Sequence, residues 1–319
     1  TSVLYFVTLA VMDWFALIMA ILGGLALFLH GMSMMCISLR AGFEKKLEAW
    51  MGDLARSPIQ GLVVGAIAAT LLQSSTAVSV LLVDFVSATI LPFPATIPVF
   101  LGAGVGSTLI SHMLALDLSR LTFIFLFVGY ALTMVSRPGL PIAGRFFLGL
   151  GLVFLGTQTI THAFRPLEKD KPFLDLLATM HAPLAGLLAG LLLTVLMQSS
   201  LATISVLQSL VTLKALPLSA APAIVMGANI GTTSTAFFVA LPKGTHALRA
   251  ALAGLVVRAV PAITLLPFAS VSLVLATAMA SEPAAQVAML HTIFNVLVLI
   301  FMLPFSGLVS RTVASLIPD

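Results

Sequence analysis

Long apolar stretches broken by short polar motifs run through most of this chain. Strict alternation of apolar and polar positions is absent, so the pattern predicts helices and no β-strands. Most of the stretches that lack Lys, Arg, Asp and Glu are long enough for the roughly 20 apolar residues that a membrane-spanning helix needs. These stretches are residues 14–39, 59–83, 121–136, 182–213 and 284–310. The pattern therefore predicts an all-α integral membrane protein.

The first half of the chain is predicted to contain spanning helices and one pair of short helical limbs. The limbs flank Gln73-Ser74-Ser75, and their length suits half-crossings, which favours a re-entrant helical hairpin. A later transmembrane helix is predicted to be broken at the glycine motif GAGVGST, residues 102–108. The predicted order is helix 14–38, charged loop 40–56, limbs 58–72 and 76–91, broken helix 96–116 and helix 118–136.

The second half is predicted to repeat this order. Its limbs flank Gln198-Ser199-Ser200, and its broken helix contains GANIGTTST, residues 227–235. Pro261 and Pro267 are expected to kink or split a long later helix. The predicted order is helix 142–163, charged loop 165–175, limbs 182–197 and 201–216, broken helix 220–241, helix 246–280 and helix 284–310.

An internal repeat relates the two halves. Residues 24–112, aligned without gaps on residues 149–237, give 24 identities in 89 positions, including many glycines and prolines. Each repeat has an odd number of crossings whether or not its limbs span, so the second copy must face the opposite way. We therefore expect an inverted-topology repeat within a single membrane transport domain. The expected bounds are 1–319 for the domain, about 14–136 for repeat one, about 142–280 for repeat two and about 284–310 for the final helix.

Composition agrees with a membrane protein and narrows its chemistry. Hydrophobic residues make up 60% of the 319 residues and charged residues 8%, which leaves too little polar surface for a water-soluble globule. The single cysteine, Cys36, excludes an internal disulfide, and no CxxC or HExxH spacing occurs, so we expect no cofactor. The net charge of +4 comes from residues that lie mostly in predicted loops, and it does not indicate nucleic acid binding.

Positive residues in the loops set the expected orientation. With re-entrant hairpins, nine Lys and Arg residues fall on one side of the membrane and five on the other, with Arg258 inside a helix. The positive-inside rule then favours an external N-terminus and a cytoplasmic C-terminus in the cell (inner) membrane. The first twelve residues are apolar and lack a basic start, so we interpret them as an interfacial or helix-extending segment and not as a cleavable signal peptide.

The four predicted helix breaks form a polar centre. A helix that begins just after each break directs its free amides and positive dipole end at that centre, an arrangement suited to anions. Hydroxyl groups and glutamine carbonyls could also bind sodium there. None of the four motifs contains Lys or Arg. We therefore expect cotransported cations to supply the positive charge that a buried anion needs.

Four motifs resemble the type II sodium/phosphate cotransporter family: the repeated QSS, GANIGT, FLHGM at 28–32 and HTIFN at 291–295. The resemblance covers nearly the whole chain and implies a sodium-coupled symporter of inorganic phosphate, with alternating access and with substrates bound between the two hairpins. It also implies a homodimer in the lipid bilayer and a rocking or elevator-like motion. Bacterial members often carry a soluble helical domain after the membrane part, and this sequence ends at Asp319 without one.

The resemblance also implies roles for individual residues. The implied phosphate ligands are Gln73, Ser74, Ser75, Gln198, Ser199, Ser200, Asn229 and Thr232. The implied sodium ligands are Gln73, Thr76, Ser107, Thr108, Gln198, Thr232 and Thr233. The chain departs from the family pattern at Leu201, which lacks the hydroxyl of Thr76, and at Gly104, which stands where the second repeat has Asn229. Each departure removes a polar group, so the two together affect the expected number of bound sodium ions and the expected oxyanion.

Three further polar residues lie in apolar segments. Asp84 is a possible coupling residue, because an acid inside a membrane is functional by default. The alternative is that it lies near a membrane face or pairs with a base such as Arg258. His291 and Asn295 share one helix face and could reach the site, but we expect them instead to tie helices together.

Two other functions stay open at this point. A transporter of another oxyanion or of a small carboxylate could use the same architecture, and so could a phosphate-sensing membrane protein without net transport. An enzyme is not expected, because no nucleophile, base and orienting acid cluster within the motifs.

Overall fold

The computed structural model describes the backbone of residues 2–52, 57–116 and 118–318, and the side chains of 14–41, 57–116 and 118–318 apart from 119, 168, 169 and 181. Every regular element in these ranges is a helix, which confirms the all-α prediction. The α-helices are α1 (Ser2–Gly52), α2 (Pro58–Leu72), α3 (Ser75–Ser87), α4 (Thr96–Ala115), α5 (Thr122–Thr133), α6 (Leu140–Phe164), α7 (Lys171–Ala178), α8 (Pro183–Met197), α9 (Ser200–Thr212), α10 (Ala221–Gly231), α11 (Thr233–Ala240), α12 (Thr245–Leu265), α13 (Ala269–Met279), α14 (Pro283–Met302) and α15 (Ser306–Leu316).

Six helical segments of the described chain are long and apolar enough to cross a membrane. Large apolar side chains on them, such as Phe15, Phe268 and Phe301, are exposed on the outside of the bundle. In a bilayer that surface faces hydrocarbon, so its exposure carries no penalty. The chain is therefore a multi-pass membrane protein. The segments are Trp14–Ala41, Phe93–Ala115, Leu140–Leu167, Leu218–Lys243, Thr245–Met279 and Pro283–Met302.

Two segments predicted as charged loops are helical. α1 continues through residues 40–52, because Glu, Lys, Leu, Ala and Met in that stretch are strong helix formers. The rest of the predicted loop, residues 53–56, lies outside the described residues. In the predicted loop 165–175, α7 begins at Lys171, where the side chain of Asp170 accepts a hydrogen bond from the amide of Phe173 at 2.9 Å. Charge alone therefore did not mark the helix ends.

Prolines divide the last long helices. The predicted helix 246–280 is split, since a short 3-10 turn at Leu266–Phe268 separates α12 from α13. The predicted helix 284–310 ends early, at Met302, and α15 begins at Ser306. Pro304 lies between them, and it has no backbone N–H to donate to the carbonyl four residues earlier, so it interrupts the helical hydrogen bonds.

Two helix pairs pack in the same way in the two halves. α2 packs against α4, and α8 packs against α10. A Cβ on Gly102 would lie closer than 3.0 Å to the carbonyl oxygen of Leu62, and a Cβ on Gly227 would lie equally close to that of Leu187. In the repeat alignment Gly227 corresponds to Gly102 and Leu187 to Leu62. The internal repeat is therefore also a repeated close contact between backbones, as is common between membrane helices.

The first helix of each half packs against its counterpart. Gly24 on α1 contacts Gly156 on α6, and Gly31 contacts Gly149, so the two helices run antiparallel. In the repeat alignment Gly149 corresponds to Gly24, and Gly156 corresponds to Gly31. The two equivalent helices thus contact each other through the same two repeat positions, and the first position on one helix meets the second position on the other.

The two Gln-Ser-Ser units, α2–α3 and α8–α9, each start and finish near one point. Ser57, before α2, lines the same cavity as Pro92, after α3. In the second unit, a Cβ on Gly186 would contact carbonyl oxygens of Met180, before α8, and of Ala220, after α9. Both α2 and α8 have 15 residues, so each tip lies about 22 Å along its first helix.

Candidate functional site

The first tip is a two-residue break between α2 and α3. Gln73 ends α2 in the left-handed region with φ 51° and ψ 27°. Ser74 is extended and caps α3, because its hydroxyl accepts a hydrogen bond from the amide of Ala77 at 3.0 Å. A left-handed non-glycine residue is uncommon, and a serine cap is a standard helix start. The tip therefore ends one helix and presents the amides of the next.

The second tip has the same backbone. Gln198 has φ 53° and ψ 21°, and Ser199 is the extended cap of α9. The hydroxyl of Ser199 accepts from the amide of Ala202 at 3.2 Å. Both tips thus offer a helix N-terminus, which attracts anions through its unpaired amides and dipole.

The side chains of the two tips differ more than their backbones. Gln73 is buried, and its Oε1 has no hydrogen-bond partner among the described residues. Gln198 is exposed, its Oε1 accepts a hydrogen bond from Thr235, and its Nε2 donates to the carbonyl of Val195 at 2.6 Å.

The serines that follow behave alike in the two tips. Ser75 and Ser200 are both buried. Their hydroxyls make no hydrogen bond within the described part of the chain. Thr76 is buried beside Ser75, whereas Leu201 takes its place in the second tip. Each tip therefore keeps one buried hydroxyl available to a bound solute.

The predicted break at the first glycine motif is wrong. α4 runs without interruption from Thr96 to Ala115. The hydroxyls of Ser107 and Thr108 donate to the carbonyls of Gly104 and Val105, both at 2.8 Å, and thus reinforce the helix. The glycines in this motif serve close packing, as the contact of Gly102 with α2 shows.

The second glycine motif is interrupted at one residue. Thr232 separates α10 from α11, and it keeps helical angles of φ −61° and ψ −22°. Its hydroxyl donates to the carbonyl of Asn229 at 2.6 Å, and that of Thr233 donates to Ile230 at 2.7 Å. Asn229 Nδ2 donates to Val225 at 3.0 Å. The predicted break is thus a local irregularity and not an opened segment.

Arg258 joins the second glycine motif, although the motifs themselves contain no basic residue. This arginine on α12 is buried, and its Nη1 donates to Thr232 Oγ1 at 2.6 Å. Three residues beyond Thr232, Thr235 holds Gln198 of the second tip. α3, which begins at the first tip, packs against both α11 and α12. Hydrogen bonds therefore link the second glycine motif to both the second tip and Arg258. The helix α3 packs beside this cluster.

Sequence reasoning missed Arg258 and Thr235 as members of this cluster. A basic residue inside a spanning helix was the available signal for Arg258, since such residues are rare and are usually functional. Thr235 lies within the GANIGTTST motif, but its contact with Gln198 spans 37 residues and has no local signal.

Asp84 lies at the far end of α3, away from the tip. It forms an ion pair with Lys243, and the two side chains are 41% and 34% exposed. Asp84 therefore pairs with a base, as one alternative held, but that base is Lys243 and not Arg258. Half-exposed pairs of this kind contribute little to stability.

His291 and Asn295 tie α14 to α4, as expected. His291 Nδ1 lies 3.0 Å from the hydroxyl of Ser111. Asn295 packs its Oδ1 against Gly104, where a Cβ would lie closer than 3.0 Å. The absence of a side chain at Gly104 thus makes room for Asn295, which occupies the position left by the missing asparagine of the first repeat.

A cavity of about 860 Å³, lined by both apolar and polar residues, opens between α6, α9 and the start of α14. Hydrogen bonds continue from it along α6 and α9: Thr161 donates to Ser209 at 2.9 Å, and the hydroxyls of Thr157 and Ser205 lie 3.3 Å apart. The charged and strongly polar residues of its lining are Arg120, Gln158, His162, Arg165, Gln208 and Glu282.

Comparison with known proteins places this chain in a family. The model of the Na+/Pi-cotransporter family matches residues 27–162 and 167–279. The chain belongs to this family. Membership implies that the chain transports phosphate across a membrane. The family consists of transporters and not of enzymes, and it implies phosphate and sodium as the transported substrates. The resemblance noted from its motifs is confirmed.

Three relatives illustrate the range of this Na+/Pi-cotransporter family. The chain is 31% identical over 292 residues to the uncharacterized protein YqeW of Bacillus subtilis (strain 168), covering 91% of this chain and 95% of YqeW. It is 25% identical over 303 residues to YjbB of Escherichia coli (strain K12), whose name proposes inorganic phosphate export. That match covers 94% of this chain but only 55% of YjbB.

A mammalian relative matches over a shorter stretch. Over 64 residues the chain is 47% identical to the sodium-dependent phosphate transport protein 2A of Rattus norvegicus, covering 20% of this chain and 10% of that protein. No solved structure matches the chain at a significant level.

Proposed function

We propose that this chain is a sodium-coupled symporter of inorganic phosphate that works by alternating access around a site between its two Gln-Ser-Ser tips. The observation that carries the proposal is the closely similar backbone of the two tips: a left-handed glutamine, a capping serine and a helix that begins at a buried serine. Two helix N-termini and two unpaired hydroxyls together offer donors for an oxyanion and oxygens for sodium.

The architecture we propose is an inverted repeat with two re-entrant hairpins. The antiparallel pairing of α1 and α6 through equivalent glycines supports it, because a two-fold axis in the membrane plane relates helices in this way. The meeting of the start and finish of each tip unit supports re-entry. A backbone break at membrane depth is tolerated where it lines a polar site.

We propose that the tips and the second glycine motif bind phosphate and that neighbouring oxygens bind sodium. The unpaired hydroxyls of Ser75 and Ser200 support the first assignment. The proposed phosphate ligands are Gln73, Ser74, Ser75, Gln198, Ser199, Ser200, Asn229 and Thr232. The proposed sodium ligands are Gln73, Thr76, Ser107, Thr108, Gln198, Thr232 and Thr233. Beyond sodium as the coupling ion, we propose no cofactor.

Access to this site is proposed to run through the cavity between α6 and α9. Arg120 and Arg165 line this cavity with one acidic residue, Glu282, so the charge of its lining is net positive. A net positive cleft raises the local concentration of anions. The hydroxyls of Thr157 and Ser205 continue the polar lining towards Ser200 at the start of α9.

The remaining features of the transporter are proposed together. The chain forms one transport domain of two repeats and a final helix, works as a homodimer in the lipid of the cell (inner) membrane, and has an external N-terminus and a cytoplasmic C-terminus. The shared cavity of Arg120 and Arg165 supports the grouping of loop charges on which this orientation rests.

Phosphate flux into proteoliposomes tests the proposal. Purified protein should accumulate labelled phosphate when a sodium gradient points inward and should lose that accumulation when potassium replaces sodium. Competition by arsenate, but not by sulfate or citrate, is expected. Sodium-independent flux would contradict symport, and the absence of any flux would favour a phosphate sensor.

The same vesicles resolve the direction of transport. The name of YjbB proposes export, so flux should also be measured from loaded vesicles into phosphate-free buffer. A symporter follows the sum of the two gradients in either direction. Phosphate efflux at a rate that does not depend on the sodium gradient would support export without sodium coupling.

A further inference from the structure

Arg258 is a buried cation without a counter-charge in the described part of the chain. Its Nη1 is held by Thr232 Oγ1 at 2.6 Å. Its Nη2 is buried and has no hydrogen-bond partner among the described residues. Arginine presents a planar fork of donors that suits phosphate oxygens. A guanidinium in the hydrocarbon region with half of that fork unused is costly, so a partner for it is expected.

Arg258 lies at about the depth of the first tip. Lys243 contacts Asp84 and Ser87 at the C-terminal end of α3, and α12 starts two residues after Lys243 and packs along α3. The two helices therefore run antiparallel. At about 1.5 Å per residue, Arg258 lies about 20 Å along α12, and Ser74 lies about 20 Å back along α3 from Ser87.

The depth of Arg258 brings two unmatched groups to the same level. The buried Nη2 of Arg258 is a donor without an acceptor, and the buried Oε1 of Gln73 is an acceptor without a donor. Hydrogen phosphate carries both charged oxygens, which accept from a guanidinium, and a hydroxyl, which donates to a carbonyl. Its chemistry complements both groups.

A comparison within the chain shows that the positive charge is not needed to join helices. α12 and α14 are both followed by Leu-Pro-Phe, and aligning those tripeptides brings Arg258 onto Asn295. Asn295 is buried and packs against Gly104 of the first glycine motif, while Arg258 is buried against Thr232 of the second. A neutral amide thus suffices for the packing role in α14.

We propose that Arg258 is the fixed positive charge of the substrate site, binding an oxyanion through Nη2 while Thr232 holds Nη1. This inference rests on the proposed function, and it changes one expectation. Sodium is then not the sole source of positive charge for the bound phosphate, and Arg258 contributes to phosphate affinity at every sodium concentration.

Phosphate binding to purified protein in nanodiscs tests the inference. With labelled phosphate at saturating sodium, Arg258→Gln should raise the Kd more than tenfold. Arg258→Lys should raise it three- to tenfold, because an ammonium keeps the charge but loses the fork. The matched control is Arg249→Gln, on the same helix, where Nε donates to the carbonyl of Ile317 at 2.8 Å. It should stay within twofold of the wild type.

Thermal stability without ligands separates a binding role from a structural one. The melting temperature of Arg258→Lys without phosphate or sodium should stay close to that of the wild type. A large loss of this stability together with a raised Kd would mean that Arg258 only supports the fold, and would overturn the inference. If Arg258→Gln does not yield folded protein, Arg258→Lys decides alone, and an unchanged Kd would overturn it.

Phosphate binding by the wild-type protein distinguishes a failure of the role of Arg258 from a failure of the proposed function. If it binds phosphate and the Arg258 variants bind equally well, only the role of Arg258 falls. If the wild-type protein binds no phosphate with sodium present, the proposed function falls, and the role of Arg258 falls with it.

Discussion

The two Gln-Ser-Ser tips have one backbone and two environments. The glutamines differ by only 2° in φ, from 51° to 53°, and both capping serines bond the amide three residues on. Yet Gln73 is buried with an unmatched carbonyl, whereas Gln198 is exposed and its carbonyl accepts from Thr235. Local sequence sets the shape of a tip, and neighbouring helices decide which of its groups stay available.

The difference follows from one position of the repeat. Thr235 on α11 corresponds to Ile110 on α4. Ile110 is buried among apolar side chains and offers no hydroxyl. The first tip thus lacks the partner that the second tip has, and Gln73 keeps an acceptor for a bound solute.

The two glycine motifs also differ in their contacts with neighbouring helices. α4 passes through GAGVGST unbroken, with Asn295 from α14 filling the space beside Gly104. The second motif is interrupted at Thr232, which Arg258 contacts. The second half therefore carries the charge, and the first half carries the unmatched acceptor.

The largest expected effect tests what the two halves share. Gly102→Ala and Gly227→Ala should each prevent recovery of folded protein, because the new methyl group would press on a backbone carbonyl that cannot move aside. The measurement is the monodisperse yield in detergent. Gly23→Ala is the control, since nothing lies within 4 Å of its Cβ. Normal yield for either test variant would refute the shared packing.

Next in size is the loss of either buried serine hydroxyl. Ser75→Ala and Ser200→Ala should each reduce sodium-driven phosphate flux more than tenfold, since both serines are buried and their hydroxyls have no hydrogen-bond partner among the described residues. Ser87→Ala, at the exposed end of α3, should keep flux within twofold. If both test variants transport normally while folded, the tips are not the site.

The glutamines should separate the two tips. Gln73→Ala should raise the KM for phosphate about tenfold and weaken selection against sulfate, because sulfate has no proton to donate to a buried carbonyl. Gln198→Ala should raise the KM about threefold, since Thr235 already occupies its Oε1. Concentration series of flux with sulfate as competitor measure both. Equal effects would mean that the unmatched carbonyl of Gln73 has no role.

The smallest effect is expected at the far end of α3. Asp84→Asn removes a half-exposed ion pair with Lys243, worth about 0–1 kcal/mol. Flux and its sodium dependence should stay within about twofold of the wild type, and Lys243→Gln should behave alike. A changed sodium dependence in Asp84→Asn alone would support a coupling role for Asp84.

Much of the architecture was predictable because its signals are local. The limbs around both tips were predicted to within a few residues, since apolar runs and serine caps depend on neighbours in sequence. The broken α4 was predicted wrongly, because a glycine motif can either break a helix or let another helix approach. Leu62, 40 residues earlier, decided between these outcomes.

The amino-acid sequence by itself determined that this is a helical membrane protein, that it is duplicated, and that two serine-capped helix starts recur in it. These follow from composition, from a fixed offset of 125 residues and from short-range hydrogen bonds. Only the tertiary structure decided that Gln73 is unmatched, that Gln198 is held by Thr235, and that Arg258 meets Thr232. The reason is that these outcomes depend on contacts between helices, which residue spacing along one helix does not specify.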